Sequence, residues 1–303
     1  EHRQPVIMLS TLAVENSFPT FKALAIGAVD FVTKPGGGAY LPSLQQVGET
    51  LRSKIRVAAS VQRAKIGKAR TPVPPPVTSP VSPASCSARQ PSRSLLAPIE
   101  RIIGVGGSTG GASGLEVLLR GIPENLPVCL IVVQHLPPGF SASFARYLDS
   151  LGKFRVYEAS DGQVLQSGAV FLAPAGLHLR VQRTAQGMLL RTDTCSPPQH
   201  GYRPAIDQLF YSLATARKSS AIGVLLSGMG GDGVSGLLAL RRLGAETLVQ
   251  DETTSVVFDM PARAIGAGAA RHVLPVDAIP GAILRACRQS AVDLRSCKVG
   301  IRA

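Results

Sequence analysis

The sequence predicts an α/β fold built on a doubly wound, mainly parallel sheet, and three observations carry that prediction. Short apolar runs at Ile102-Ile103, Cys129-Leu130-Ile131-Val132-Val133 and Ile222-Gly223-Val224-Leu225-Leu226 have the unbroken apolar character of strands covered on both faces. Each leads into a loop rich in glycine or proline: Gly104-Val105-Gly106-Gly107-Ser108-Thr109-Gly110-Gly111, Gln134-His135-Leu136-Pro137-Pro138-Gly139 and Gly228-Met229-Gly230-Gly231-Asp232-Gly233. Strand-like and helix-like segments then alternate down the chain, the pattern of successive βα units.

The elements follow in order. A βαβα pattern opens the chain, with strands at Val6–Leu9 and Phe31-Val32 and helices near Pro19–Ile26 and Leu41–Ala64. Thr71 to Ser94 is dominated by Pro, Ser, Val and Ala with no helical or strand period, which reads as a flexible linker. Beyond it, strands are expected at 101–105, 128–134, 154–158, 168–173, 178–182, 221–227 and 246–250. Helices are expected at 111–120, 140–150, 205–217, 234–243, 261–266 and 277–289. Asp207–Ala214 and Leu237–Leu243 carry apolar residues at three- and four-residue spacing, the stripe of a helix lying on a sheet. The resulting division is residues 1–66, a linker at 67–98, a main domain at 99–290 and a tail at 291–303.

Composition narrows the class of function. The chain has 303 residues, 45% of them hydrophobic, enough for one large core and a smaller second one. Its longest apolar stretches are too short for a membrane helix, and the N-terminus lacks the order of a secretory signal; no membrane insertion and a cytoplasmic address are expected. The five cysteines, Cys86, Cys129, Cys195, Cys287 and Cys297, contain no Cys-x-x-Cys, so they read as reduced packing residues rather than a disulfide or zinc framework. The net charge of +13 suggests acidic partners. Aromatic residues make up only 5% and Trp is absent, so the stacking platform of a nucleic-acid binder is missing and none is expected as partner.

The loops carry the chemistry. Ser108 lies in Gly106-x-Ser108-x-Gly110, the spacing of a nucleophile elbow, where small flanking residues allow a sharp strand-to-helix turn to present a hydroxyl. A serine needs a neighbouring base at neutral pH, and His135 at the end of the next strand supplies one. Asp232 could orient that imidazole, and all three loops fall at strand carboxyl ends, where open α/β sheets place their crevice. The amides near Thr109 and Gly110, and that of Met229, are candidate donors to an oxyanion. His178, His200 and His272 are rival bases, of which His200, in a polar loop, is hardest to dismiss. For Asp232 the competing role is a cap on the helix starting at Val234. The glycine pattern fits neither a dinucleotide fingerprint nor a phosphate loop, and His and carboxylates are not clustered at ligand spacing; no cofactor and no metal are expected.

These residues resemble the CheB family, the chemotaxis protein-glutamate methylesterases. Residues from about Arg101 to Arg288 look like its catalytic domain through the Ser108 loop, Gln134-His135-x-Pro-Pro-Gly-Phe140, Ala173-Pro174, Arg203-Pro-x-x-Asp207, Leu226-Ser-Gly-Met-Gly-x-Asp-Gly233 and Val257-Phe-x-Met-Pro261. The resemblance implies hydrolysis of glutamate methyl esters on the cytoplasmic helices of chemoreceptors, often with deamidation of glutamines. It places the catalytic groups on Ser108, His135 and Asp232 and near-oxyanion positions on Thr109 and Met229. Pro5–Thr11 and Gly27–Pro35 resemble the fourth and fifth strands of a receiver domain, with Ser10 and Lys34 at its switch hydroxyl and phosphate-contacting lysine. The acidic first half of a receiver has no counterpart before Glu1, so no phosphorylation site is assigned, and a histidine kinase is a partner only of a complete receiver. A half receiver is expected to be disordered, to self-associate or to cover the crevice. The alternative function is a non-catalytic signalling module that binds proteins.

Overall fold

The computed structural model describes residues 4–10, 18–34, 44–60, 98–185 and 187–288. The N-terminal segment forms β1 (Ile7–Ser10), α1 (Phe18–Ile26), β2 (Asp30–Thr33) and α2 (Leu44–Ser60), with β1 and β2 paired in parallel. The larger unit runs β3 (Arg101–Gly107), α3 (Gly111–Gly121), β4 (Val128–Gln134), α4 (Ser141–Ser150), β5 (Arg155–Glu158), β6 (Ala169–Leu172), β7 (His178–Thr184) and β8 (Gly187–Asp193). It continues with α5 (Ile206–Arg217), β9 (Ala221–Leu225), α6 (Val234–Arg242), β10 (Glu246–Gln250), α7 (Asp259–Gly266), β11 (His272–Leu274) and α8 (279–288). The expected linker at 67–98 falls almost wholly, and the tail at 291–303 entirely, outside the described residues.

Seven strands form one parallel sheet of order β11-β10-β9-β3-β4-β6-β5. The chain builds outward from β3 through β4, then returns to lay β9 on the other flank of β3. Loops leaving β3 and β9 therefore diverge, which opens the crevice of a doubly wound sheet at their carboxyl ends. Three differences from the sequence reading concern strands, the first being β8, which that reading lacks. Segment 178–182 belongs to an antiparallel hairpin, β7 with β8, outside the main sheet. Strand β11 closes one edge with only three residues, too few to show a period.

Alternation along each strand divides the core into two layers, because successive side chains point to opposite faces. Ile103, Val105, Leu130, Val132, Val170, Leu172, Ile222 and Val224 face a layer with α3, α4 and α8. Ile102, Cys129, Ile131, Val133, Ala169, Phe171, Ala221 and Leu225 face the other, with α5, α6 and α7. Cys129 and Cys287 are core residues, and burial pushes the Cys287 thiol up to about 11; Cys195 is exposed. Strand glycines mark close helix approach rather than weak strands. A Cβ built at Gly104 would lie 2.5 Å from Leu213 and 3.2 Å from Phe210 on α5.

The N-terminal unit docks on the first layer. Phe21 and Phe31 join the same core as Phe140 and Phe144, with ring centroids 4.8 Å apart in the Phe21–Phe144 and Phe31–Phe140 pairs. Aromatic pairs at this spacing add to the stabilisation from area burial alone. The apolar face of α1 and β2 is thus covered, whereas Val6, Leu9 and Ile26 remain exposed. This unit reaches the carboxyl end of the main sheet, where Asp30 and Phe31 line a crevice together with Ser108 and His135. Lys34 is exposed there, and Ser10 Oγ lies 3.0 Å from Thr20 Oγ1.

Helices α5 and α6 meet through a buried polar contact. Gly236 N donates to Asp207 Oδ1 at 2.7 Å, and Gly236 leaves no room for a side chain against Phe210 and the Asp207 carbonyl. Asp207 is fully buried; burial raises its carboxyl above the ordinary value, opposed by the Gly236 hydrogen bond and by His200. Gly104→Ala should lower the urea midpoint by overpacking, about 1–3 kcal/mol of stability, with the far-UV spectrum unchanged. A carboxyl whose folded-state pKa is raised contributes stability at low pH that is lost as pH rises from the unfolded value, about 4, through the folded one. Urea unfolding from pH 3.5 to 8 should therefore show Asp207→Asn gaining stability relative to the native chain as pH rises. A flat or falling difference would contradict the burial argument.

Candidate active site

Strands β9, β3 and β4 are neighbours, so the three loops singled out in the sequence meet at one end of the sheet. The Ser108 backbone is held on both sides. Its N–H donates to Ser227 O at 3.1 Å, and its carbonyl accepts from Gln134 Nε2 at 2.7 Å and Gly111 N at 2.8 Å. His135 N donates to Gly107 O at 3.0 Å, which fixes the start of the histidine loop against β3. Gly110 turns the chain into α3 with φ of 78°, and a Cβ there would strike Val256 and the Ser227 hydroxyl. Glycine is required at that turn on both counts.

His135 and Asp232 form a buried pair. His135 Nε2 lies 2.8 Å from Asp232 Oδ2, with side-chain exposures of 6% and 0%. The carboxylate accepts, so Nε2 carries the proton and Nδ1 is left as the acceptor. Nδ1 is buried and has no hydrogen-bond partner among the described residues. Ser108 and His135 line one narrow crevice. The imidazole stacks on Tyr202, with centroids 3.7 Å apart and planes 10° from parallel.

Asp232 does cap a helix, but not the expected one. Helix α6 begins at Val234 behind Gly233, with no side-chain cap. Asp232 instead accepts from the first amides of α5, Ile206 N at 2.8 Å and Asp207 N at 3.0 Å. With His135, three N–H donors satisfy a carboxylate that has no water contact, and such a group is tolerated only when its lone pairs are used.

The rival histidines have other partners. His178 is fully buried, receiving Ala205 N on Nδ1 and facing Pro197 O with Nε2. His272 pairs with Glu246 at the surface, and His200 Nε2 meets Asp207 Oδ2 at 3.1 Å. Donor atoms of His200, Asp207 and Asp232 lie within 4.8 Å of one another. The carboxylate oxygens of this cluster already accept from His135, His200, Ile206, Asp207 and Gly236, so as arranged it is a hydrogen-bonded network rather than an open donor set.

Sequence reasoning missed four contributors. Gln134 was visible only as the residue before His135, and Ser227 as the residue before Gly228. Ser227 Oγ donates to Thr109 O at 2.8 Å and accepts from Val257 N, while its own N–H reaches Gln250 Oε1. Tyr202 preceded the Arg203-Pro204 pair with no signal of its own. Asp30, on β2, reaches the crevice from the N-terminal unit: Oδ2 accepts from Thr109 Oγ1 at 2.5 Å and Oδ1 pairs with Lys54 Nζ at 2.8 Å. The Thr109 hydroxyl is thereby occupied. Gly228 N and Gly230 N are also engaged, by Val257 O and Asp259 Oδ2.

The sequence profile of the CheB methylesterase family matches residues 103–283. A protein of Bordetella parapertussis named protein-glutamate methylesterase/protein-glutamine glutaminase is 42% identical over 92% of this chain and 75% of its own length. One of Pseudomonas aeruginosa with the same name, numbered 2, is 39% identical over 93% of this chain and 75% of its own length. The solved catalytic domain of the Thermotoga maritima CheB methylesterase superposes with a TM-score of 0.59 at 36% identity, covering 62% of this chain and 97% of that one. With the parallel sheet, the serine loop at its carboxyl end and these likenesses all on one stretch of sequence, the chain belongs to the CheB methylesterase family.

Proposed function

We propose that this chain hydrolyses the methyl esters of glutamate side chains on chemoreceptors, and the amides of selected glutamines, with Ser108, His135 and Asp232 as its catalytic groups. The observation that carries the reading is the buried His135–Asp232 hydrogen bond beside a crevice that His135 and Ser108 both line. Ser108 Oγ attacks the ester carbonyl carbon while its proton passes to His135 Nδ1, the nitrogen not used by Asp232. The tetrahedral intermediate expels methoxide, which takes that proton and leaves as methanol. Water then repeats the sequence on the acyl-enzyme and frees the glutamate carboxylate. With an amide, ammonia leaves in place of methanol.

Negative charge develops on the carbonyl oxygen, and fixed backbone donors stabilise it without reorganisation. The amides of Thr109 and Met229 are the proposed donors. Neither makes a hydrogen bond within the described residues, in contrast to Gly228 N and Gly230 N on either side of Met229. The work is assigned to residues 99–290, with residues 1–66 as the C-terminal half of a response-regulator receiver and 67–98 joining them. A cytoplasmic location is part of this proposal and is compatible with the lack, among the described residues, of any helix long and apolar enough to cross a membrane.

Methanol release from methylated receptor fragments tests the catalytic assignment. Ser108→Ala should abolish it, and Asp232→Asn should lower kcat by about 10³–10⁴-fold, since the amide stabilises neither the correct tautomer nor the imidazolium. Unchanged release by Ser108→Ala would remove the serine mechanism; no release from the native chain would favour a non-catalytic module. The Asp30 carboxylate sits on the Thr109 hydroxyl in the wall of the crevice that Ser108 and His135 line. Asp30→Ala and a chain of residues 98–303 should both raise kcat/KM, by about tenfold for loss of one charged hydrogen bond. A kcat/KM unchanged from that of the native chain in both would mean that the N-terminal unit does not obstruct substrate.

A further inference from the structure

We propose that Tyr202 is a positioning residue for His135, holding the imidazole in the one plane that presents Nε2 to Asp232 and leaves Nδ1 for Ser108, and stabilising the imidazolium formed during turnover. The proposal rests on the hydrolase reading above. A single hydrogen bond from Nε2 to Asp232 fixes one corner of the ring but not its plane, because the terminal torsion of histidine has a broad minimum. The Tyr202 ring, 3.7 Å away and 10° from parallel, supplies the missing restraint. Hydrogen bond and stack together leave one orientation.

Tyr202 can impose a plane only if its own backbone is held, and several contacts hold it. Gln199 N donates to Tyr202 O at 3.0 Å and Tyr202 N to Gln199 O at 2.8 Å, closing a tight two-residue turn. The central residues His200 and Gly201 have φ of 54° and 81°, the signs of a type I′ turn. Left-handed backbone at a non-glycine residue is unfavourable and needs compensation. His200 finds it through Nε2 on the buried Asp207 carboxyl at 3.1 Å. Gln208 Nε2 donates to Gln199 Oε1, Arg203 Nη1 donates to Thr194 O, and Gly176 N donates to Arg203 O. This gives His200, a rival base on sequence grounds, a place in the site: it anchors the turn that carries Tyr202.

The stack also acts on charge. When His135 takes the serine proton it becomes a cation lying over an aromatic face, an arrangement the ring quadrupole favours, and more so away from water. That gain exists in the transition state and is smaller when the imidazole is neutral, so it lowers the barrier rather than tightening substrate binding. Burial, with Asp232 and Asp30 nearby, keeps the Tyr202 phenol above its ordinary range, so the ring stays neutral throughout turnover. The other charged groups around the pair are Asp232, Asp207 with His200, and Asp30 with Lys54, and all of them are retained in a Tyr202 variant.

The test compares Tyr202→Phe and Tyr202→Leu in the chain of residues 1–303, with Tyr202→Met as a second filler should the leucine variant not fold. Methanol release is measured across pH, and the His135 ring protons are followed by NMR. Tyr202→Leu should lose about tenfold in kcat, the size of an exposed-to-buried cation–π contact, with KM changed by less than about twofold. Tyr202→Phe keeps the face and should restore most of the rate and the upfield ring-current shift that the leucine variant loses. Equal kcat in Tyr202→Leu, an equal loss in Tyr202→Phe, or unchanged ring shifts would each overturn the proposal. The ring shifts report the stack even if Ser108→Ala proves active, so failure of the positioning role is separable from failure of the serine mechanism.

Discussion

Burial of the Asp232 carboxylate is the constraint around which the upper end of the sheet is arranged. A fully buried anion must have its lone pairs occupied, and removing one partner of such a group is far costlier than its net contribution suggests. Here the partners are the first two amides of α5 and the His135 imidazole. One side chain thereby ties the loop after β9 to the loop after β4 and to the start of a helix that packs across β3. The helix end gains a cap that its own N-terminal residue, Ala205, cannot supply. The same bonds that satisfy the anion fix the histidine, so stability and the proposed chemistry draw on one set of contacts.

Close packing beneath the site serves the same end. The glycines of β3 let α5 settle against the sheet, with Leu213 and Phe210 filling the space a Cβ would take at Gly104. That approach sets the height of α5, and so the position of its first amides relative to Asp232. On the loop side, Ser227 and Gln134 grip the backbone on either side of Ser108. Preorganisation of this kind matters because a hydroxyl displaced by about 1 Å loses most of its advantage over water.

The N-terminal unit adds a second layer to the crevice. Its aromatic residues continue the core of the main unit instead of merely touching its surface, and Asp30 delivers a carboxylate to Thr109. A carboxylate is also the product of glutamate ester hydrolysis, so the group at the mouth has the chemistry of the product. Lys54 beside it offsets its charge in the docked arrangement.

Much of this was legible in one dimension. Strands β3, β4 and β9 were readable as apolar runs, because strands covered on both faces need no alternation, and Ser108, His135 and Asp232 stood out by falling in loops just beyond them. Strand β8 and the separate hairpin were not readable, since β7 carries a half-exposed mixture of residues that does not reveal its sheet. The helix that Asp232 caps could not be found from local sequence, because the nearer helix starts two residues on and the true partner lies 26 residues earlier in the chain. Tyr202 and Asp30 carried no pattern, for their roles exist only where distant segments meet. The sequence by itself determined the alternation of elements and the residue types at strand ends, both of which follow from local periodicity and turn chemistry. Which nitrogen of His135 meets Asp232, what stacks on its ring and what fills the crevice were decided by tertiary packing alone, because each depends on contacts between residues that only the folded chain brings together.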